Sequence, residues 1–230
     1  MDMKRNICVI VAIFIFCGCL YGQHKSITVP AGTKISESFP PSVRYLYPEF
    51  LAGQIVLNNG ISSPCMINYN MFFDDMEILQ DNDTVRILRK RDMKYAIIEN
   101  DTFIYVQGYM KHIHGQSLKV YCKDRIYLKD VLKVGAMGVV NRTGAISSYG
   151  SIDEMGMSYD LVVPEDHVFR REVSYHIATS RGTYELFKRQ NILKMFPRNK
   201  GEIRRYIRAN KINFGKQEDV IKLTEFLLKL

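Results

Sequence analysis

The alternation of apolar runs and turn-forming residues over positions 50–106 predicts a series of short antiparallel strands. Residues 58–60 read Asn-Asn-Gly between two apolar runs, and an Asn-Gly step readily adopts the positive φ angles of a tight hairpin turn. The triplet Asn-Asp-Thr recurs at residues 82–84 and 100–102, and its Asn and Asp residues favour two further turns. Because no helix-length apolar stripe crosses this region, we interpret it as a β meander.

The segments on either side extend this pattern. Residues 24–49 contain a short apolar run at 26–29 and four prolines, which predicts a strand followed by an extended, irregular lead-in. Further strands are predicted between residues 109 and 187. Within that stretch, residues 135–152 hold four glycines and little charge, and they are interpreted either as a wandering connection or as a ligand-facing loop.

The period of the apolar positions changes near residue 199. Ile203 and Ile207 share one face of a helix, and a second apolar stripe runs over residues 220–227. Asn199, followed three residues later by Glu202, fits a capping box at the start of the first helix. The tail is therefore predicted to form an αα-hairpin, whose apolar stripe is most simply buried on the sheet.

These patterns predict an α+β protein in three segments. Residues 1–22 are predicted to be a signal peptide, and residues 23–188 an antiparallel β-rich domain, either a meander or a partly closed barrel. Residues 189–230 are predicted to be a basic C-terminal helical hairpin packed on the β domain. About 208 residues remain after residue 22, which suits one domain with an ample core.

Residues 1–23 have the features of an export signal. A Lys-Arg pair precedes an uncharged apolar segment at residues 7–16, which is too short for a membrane-spanning helix. Cleavage is predicted after Gly22. Alternatively, residues 16–19 (Phe-Cys-Gly-Cys) resemble a bacterial lipobox with Cys19 as the acylated residue, although Phe stands where Leu is usual. Either route places the mature chain outside the cytoplasm, in the periplasm or cell envelope or as a secreted protein.

The positive charge of the chain is concentrated in its tail. Residues 181–230 hold 13 basic and 5 acidic side chains, an excess of eight that equals the formal net charge of +8 of the whole chain. A basic helical tail outside the cytoplasm favours contact with an anionic membrane surface or an acidic partner, and the ordinary alternative is a solvated helix face. Nucleic acid is not expected as a partner of an exported protein.

Two cysteines lie outside the predicted leader, Cys65 and Cys122. In an oxidising compartment these two residues are the candidates for a single disulfide. The alternative is a pair of unpaired buried thiols, since free Cys behaves as a small hydrophobe, and we favour this second interpretation.

No combination of residues predicts a catalytic or cofactor site. His112 and His114 are placed on one face of a strand, but no third ligand at metal-site spacing accompanies them. Asp74 and Asp75 are interpreted as an acidic turn without the spacing of a calcium loop. The chain lacks a phosphate-binding loop and a Gly-x-Ser-x-Gly nucleophile motif. The sequence therefore predicts no cofactor, and an enzyme is not favoured.

Three stretches of the mature chain resemble a group of exported Bacteroidota proteins. They are Phe-x-x-Gly-Gln-Ile-Val-Leu-Asn-Asn-Gly with Ile-Asn-Tyr-Asn within residues 50–70, Gly-Ala-Met-Gly at 135–138, and Phe-Pro-Arg-Asn-Lys-Gly-Glu-Ile-Arg-Arg-Tyr-Ile through Glu-Asp-Val-Ile-Lys-Leu at 196–223. The resemblance implies a phylum and an envelope location but carries over no functional residue. Asp83-Thr84-Val85 is also similar to the O-glycosylation triplet of exported Bacteroidota proteins, so Thr84 is predicted to carry a glycan.

The leading functional hypothesis is a non-enzymatic envelope protein that binds a ligand or partner through its β body. Five aromatic residues either line that binding surface or belong to the core: Tyr45, Tyr47, Tyr69, Phe72 and Phe73. The alternative is an envelope hydrolase, which a cleft placing His112 or His114 beside a carboxylate would favour. A third hypothesis is an assembly role in which the basic tail docks to another envelope component.

Overall fold

A computed structural model describes residues 26–81, 83–87, 89–134, 140–144, 160–179 and 182–230. The strands are β1 Ser26–Val29, β2 Leu51–Leu57, β3 Ser62–Asn70, β4 Asp75–Gln80, β5 Asp83–Arg86, β6 Met93–Ile98, β7 Asp101–Tyr105, β8 Tyr109–His114, β9 Val120–Val134, β10 Val140–Gly144, β11 Asp166–Ala178 and β12 Tyr184–Leu186. The helices are α1 Ile35–Ser38, α2 Pro41–Arg44, α3 Arg189–Met195, α4 Lys200–Ala209 and α5 Gln217–Leu227.

The described strands form a single antiparallel sheet. Its order is β1-β11-β9-β8-β7-β6-β2-β3-β4-β5, with β10 paired to β9 and β12 paired to β11. Neighbours from β2 to β9 are mostly consecutive in the chain, as hairpin connections require. In the described sheet β1 and β5 lie at opposite ends of this order and do not pair, so the sheet is open. The structure confirms the predicted α+β class with an antiparallel β-rich body.

The sheet curls so that the turn between β3 and β4 reaches the middle of β9. The backbone N–H of Ile126 donates to the carbonyl of Met71 at 2.8 Å. Phe72 and Phe73, in the same turn, are buried, and Phe72 packs against Phe39 and Phe169 at centroid distances of 4.6 and 5.6 Å. An apolar turn therefore lies in the interior, where its rings join the core of the body.

Two apolar clusters stabilise the described fold. The first, the body core, is formed by β1, β3, β4, β6 to β9, β11 and α1, and it includes Phe39, Phe72 and Phe169. The second, the tail core, joins β9 and β11 to the C-terminal helices through Val120, Cys122, Tyr175, Ile177, Ile192, Ile203, Val220, Leu223 and Leu227. Because a fully buried Leu or Ile contributes roughly 1.5–3 kcal/mol, the tail core attaches the helices firmly to the sheet.

The predicted elements agree with the structure in type more than in boundaries. The hairpin at residues 58–60 forms, with Gly60 at φ +87°. The turns predicted at 82–84 and 100–102 begin one residue earlier, because Asp81 and Glu99 adopt the left-handed conformation at φ +50° and +51°.

Three local predictions were wrong in detail. The lead-in is partly helical, since Pro40 and Pro41 occupy the N-cap and first position of α2, where a missing N–H is tolerated. Asn199 is the N-cap of α4, but its side chain makes no capping hydrogen bond. Residues 140–144 form β10, whereas the rest of the predicted loop at 135–152 lies outside the described residues, as does the predicted leader.

None of the described helices combines the length and the apolar character that crossing a bilayer requires.

Candidate functional site

Asp74 is the centre of a buried polar network at the β3–β4 turn. Its Oδ1 accepts hydrogen bonds from the Tyr69 hydroxyl at 2.8 Å and from the Tyr109 backbone N–H at 2.9 Å. Its Oδ2 lies 3.1 Å from Lys123 Nζ, an electrostatic contact without the geometry of a hydrogen bond. Lys123 Nζ donates instead to the Gln107 carbonyl at 2.7 Å. The network thus joins three parts of the chain that are remote in sequence: residues 69–74, residues 107–109 and Lys123.

Backbone conformation at two positions makes this network fit. Asp74 has φ +51°, an uncommon conformation for a residue with a side chain. Gly108 has φ +113°, and a Cβ there would overlap Lys123 Nζ and Asp74 Oδ2. Glycine is therefore required at position 108, both for the left-handed backbone and for the close approach of the ion pair.

Two further carboxylates of this hairpin are buried. Asp75 pairs with Lys90 at 2.8 Å, yet burial raises the pKa of Asp75 to about 6, because desolvation outweighs the Lys90 ammonium. Glu77 accepts hydrogen bonds from the Tyr45 hydroxyl and from the Asn70 amide, the latter at 2.7 Å. The sequence interpretation of Asp74 and Asp75 as a turn is right about position, but these groups are inside the protein.

A recess of about 150 Å³ lies beside the network, between the body core and the tail core. We call it the central recess. The residues around it come from β3, β7, β8, β9, β11, α5 and the lead-in: Leu46, Tyr69, Phe103, Tyr109, Lys111, Cys122, Asp124, Val173, Tyr175 and Gln217. Four aromatic rings and two charged side chains give the recess an amphipathic lining. A cavity near this volume holds a group about as large as benzene.

The charged groups of the central recess are already paired. Asp124 receives two hydrogen bonds from the Arg171 guanidinium, at 2.8 and 2.6 Å, and Lys111 lies 3.3 Å from Asp101. Burial raises the pKa of the Cys122 thiol to about 12. A thiol with this pKa is protonated at neutral pH and is a poor nucleophile. The lining is therefore suited to holding a group by packing and polar contact, rather than to nucleophilic attack.

His112 and His114 both lie on β8, and His112 contacts a backbone carbonyl and an aromatic ring. His112 Nε2 contacts the Gly115 carbonyl at 2.8 Å, and its ring packs against Tyr121. In the part of the chain that the structure describes, neither His112 nor His114 forms an ion pair with a carboxylate. Within the described residues, no group of three or more His, Cys, Asp and Glu side chains is placed to hold a metal ion.

A different histidine contacts a serine. Ser174 Oγ lies 3.1 Å from His176 Nε2 on β11, and burial lowers the pKa of His176. Ser174 and His176 do not line the central recess, and no carboxylate hydrogen bond to His176 is recorded among the described residues. The pair lacks the third, orienting group of a catalytic triad.

The aromatic residues named from sequence have different roles. Tyr69 lines the central recess, whereas Phe72 and Phe73 belong to the body core. The hydroxyls of Tyr45 and Tyr47 donate to Glu77 and Asp101 respectively. Only one of the five aromatic residues suggested as a binding surface therefore lines the recess.

The remaining candidate residues lie apart from one another. Cys65, on β3, is half-buried and packs against the body core, whereas Cys122 belongs to the tail core, and both thiols are free. Thr84 is exposed on β5, the strand at one end of the sheet order, so its hydroxyl is accessible for modification. Cys19 lies outside the described residues.

Most residues of the central recess were not found by sequence reasoning. Lys111, Asp124, Val173, Tyr175 and Gln217 belong to ordinary alternating strands or to a helix start. Nothing in their local pattern distinguishes them from neighbouring residues. The alternation of side chains along β9 did carry one usable signal. Asp124 stands between Cys122 and Ile126 on the face of this strand that points into the protein, where an apolar residue is expected, and it therefore indicates a buried polar site.

Comparisons with known proteins add no further assignment. The chain matches no protein-family model, no curated protein and no solved structure.

Proposed function

We propose that the protein is an exported, non-enzymatic binding module of the cell envelope, and that the central recess holds a small amphipathic group of its ligand or partner. The observation that carries this proposal is the lining of the recess, where four aromatic rings surround a space next to Lys111 and Asp124. Aromatic faces with a few fixed polar groups are typical of ligand sites. At about 150 Å³ the recess accommodates a side-chain-sized group.

The state of the polar groups supports binding rather than catalysis. The Cys122 thiol is protonated at neutral pH, because burial raises its pKa to about 12. Asp124 is held by two hydrogen bonds from Arg171, so its charge is already neutralised. The hydrolase alternative would draw support from Ser174 and His176, but these residues do not line the recess.

Val173→Phe is expected to abolish binding in the central recess. Val173 is 39 % exposed and lines the recess from β11, so a larger ring fills the space without emptying the core. The probe is p-cresol, which has a ring for the tyrosine faces and a hydroxyl for Lys111 or Asp124. We expect it to shift the NMR signals of Val173 and Tyr175 in the wild-type protein, with a Kd in roughly the millimolar range.

Val85→Phe is the matched control for this experiment. Val85 is 40 % exposed on β5, so it receives the same substitution at the same exposure, remote from the recess. The control is expected to bind p-cresol as the wild type does. Equal binding by Val173→Phe, or shifts scattered over the whole protein, would contradict the proposed site.

Export is proposed from the leader and from the resemblance to exported Bacteroidota proteins. The first described strand, β1, begins at Ser26, which lies beyond both candidate processing sites. Removal of the leader therefore leaves the whole described sheet intact. The resemblance covers the mature chain on both sides of the predicted loop at 135–152.

The intact mass of the mature protein, purified from its host, tests the export proposal. We expect a soluble chain that begins at Gln23. A diacylated or triacylated chain that begins at Cys19 would instead establish a membrane-tethered lipoprotein, and a full-length chain that retains Met1 in the cytoplasm would contradict export.

The same mass measurement tests the predicted glycan on Thr84. Additional mass that disappears in Thr84→Ala would establish the glycan, and the mass of the bare chain would exclude it.

A further inference from the structure

A second recess lies on the C-terminal helices, away from the central recess. It has a volume of about 480 Å³ and is lined by Arg189 and Gln190 at the start of α3, by Leu193, and by Arg204 and Arg208 on α4. We call it the arginine recess. Leu193 is buried and forms its apolar floor, whereas the three arginines are exposed around it. The arginine recess shares no residue with the central recess.

The three arginines have no ion-pair partner among the described residues. The ion pairs within the described residues involve other side chains: Arg89–Asp92, Lys90–Asp75, Lys111–Asp101, Lys123–Asp74, Arg125–Glu172, Lys129–Asp130 and Arg171–Asp124. The carboxylate of Glu185, in the strand before α3, instead accepts a hydrogen bond from Asn191 at 3.2 Å. Three arginine side chains therefore line one surface recess, and no carboxylate among the residues that the structure describes forms an ion pair with them.

The spacing of two of these arginines slightly opposes helix stability. Arg204 and Arg208 stand four residues apart on α4, and like charges at this spacing destabilise a helix. All three cations at the recess are arginines, although residues 181–230 contain six Arg and seven Lys. Arginine presents a planar fork of donors that matches the oxygens of phosphate, whereas lysine acts as a point charge.

We propose that the arginine recess is a binding site for a phosphate group, with Arg189, Arg204 and Arg208 as its donors. The recess is a shallow, solvent-open depression lined by α3 and α4, so a phosphate can reach it directly from solution or from a membrane surface. The phosphate belongs either to a free phosphorylated molecule or to the headgroup of an anionic lipid. The chemistry of recognition is the same in both cases, and two probes distinguish the source.

The test is a titration of the mature protein with inorganic pyrophosphate by calorimetry, together with cosedimentation on vesicles of phosphatidylglycerol and phosphatidylcholine. The test variant is Arg204→Gln with Arg208→Gln, and the control is Lys222→Gln with Lys229→Gln. Each variant removes two exposed positive charges, from α4 in the arginine variant and from α5 and the residues after it in the lysine variant. Circular dichroism establishes that each remains folded. The arginine variant is expected to bind at least about tenfold more weakly than the wild type.

The lysine variant is expected to bind nearly as the wild type does. Loss of pyrophosphate binding in the arginine variant alone supports a site for a free phosphorylated ligand. Loss of vesicle binding alone, with no pyrophosphate binding in the wild type, supports a lipid headgroup. Equal weakening in both variants would overturn the proposal, because it would indicate a diffuse field of positive charge. Absence of binding to either probe by the wild type would overturn it as well.

Discussion

Asp74→Ala is expected to lower the free energy of unfolding by about 3–5 kcal/mol, the usual result of removing one partner from a buried ion pair. Asp74 is 5 % exposed, and it satisfies the Tyr69 hydroxyl and the Tyr109 N–H while facing the Lys123 ammonium. The substitution leaves a buried positive charge and two donors without their acceptor. Urea denaturation followed by circular dichroism measures the change.

The double variant Asp74→Ala with Lys123→Met separates charge from hydrogen bonding. Removing both charges is expected to be less damaging than the sum of the two single changes, because no unpaired charge remains. Glu172→Ala is the surface control. Glu172 forms an ion pair with Arg125, and the two side chains are 43 % and 28 % exposed respectively. We therefore expect this substitution to lower the free energy of unfolding by less than about 1 kcal/mol. If Asp74→Ala does not fold, Asp74→Asn is measured in its place. A loss no larger than that of Glu172→Ala would show that the network does not hold the β3–β4 turn.

Asp75→Asn is expected to remove a pH dependence of stability between about pH 4 and pH 6. Burial raises the pKa of Asp75 from 3.8 to about 6. Well below pH 3.8 the carboxyl is protonated in both the folded and the unfolded chain. As the pH rises through this window the unfolded chain loses the proton first, so the folded state loses stability by about 3 kcal/mol, at 1.36 kcal/mol per pKa unit.

The measurement is the difference in free energy of unfolding between Asp75→Asn and the wild type at several pH values from 4 to 7. A difference is needed because burial lowers the pKa of His176, whose contribution to stability is complete above its ordinary pKa of 6.5 and is lost as the pH falls. The two groups oppose each other in the wild type, and the difference cancels His176. We expect Asp75→Asn to gain relative stability as the pH rises. A constant difference, or a slope of the opposite sign, would mean that Lys90 keeps Asp75 ionised throughout.

These two carboxylates illustrate the limit of reasoning from sequence. Adjacent acidic residues between apolar runs are most often a solvated turn, and the turn is present at Asp74. The burial of both groups depends on Lys90, Tyr109 and Lys123, which come from other strands or connections. The conformational preferences of a short segment do not reveal a partner such as Lys123, which follows Asp74 by almost fifty residues in the chain and is brought to it by the sheet.

The sequence by itself determined the elements whose signal is local. The alternation of apolar residues defined the strands of the body, residues 58–60 defined the first hairpin, and the apolar period of 3.6 in residues 199–227 defined α4 and α5. The short helices α1, α2 and α3 were missed, since each has seven residues or fewer and too little periodicity to detect.

Only the tertiary structure decided which elements meet. The curl of the sheet brings the β3–β4 turn against β9, and the tail core draws α5 over β9 and β11. The central recess exists because these two cores leave a space between them, lined by residues as distant in sequence as Leu46 and Gln217. The arginine recess likewise requires α3 and α4 to lie side by side. Such contacts depend on the register and curvature of the whole sheet. The sheet adopts the register and curvature that give the entire chain its lowest free energy, and the sequence of a short segment does not determine them.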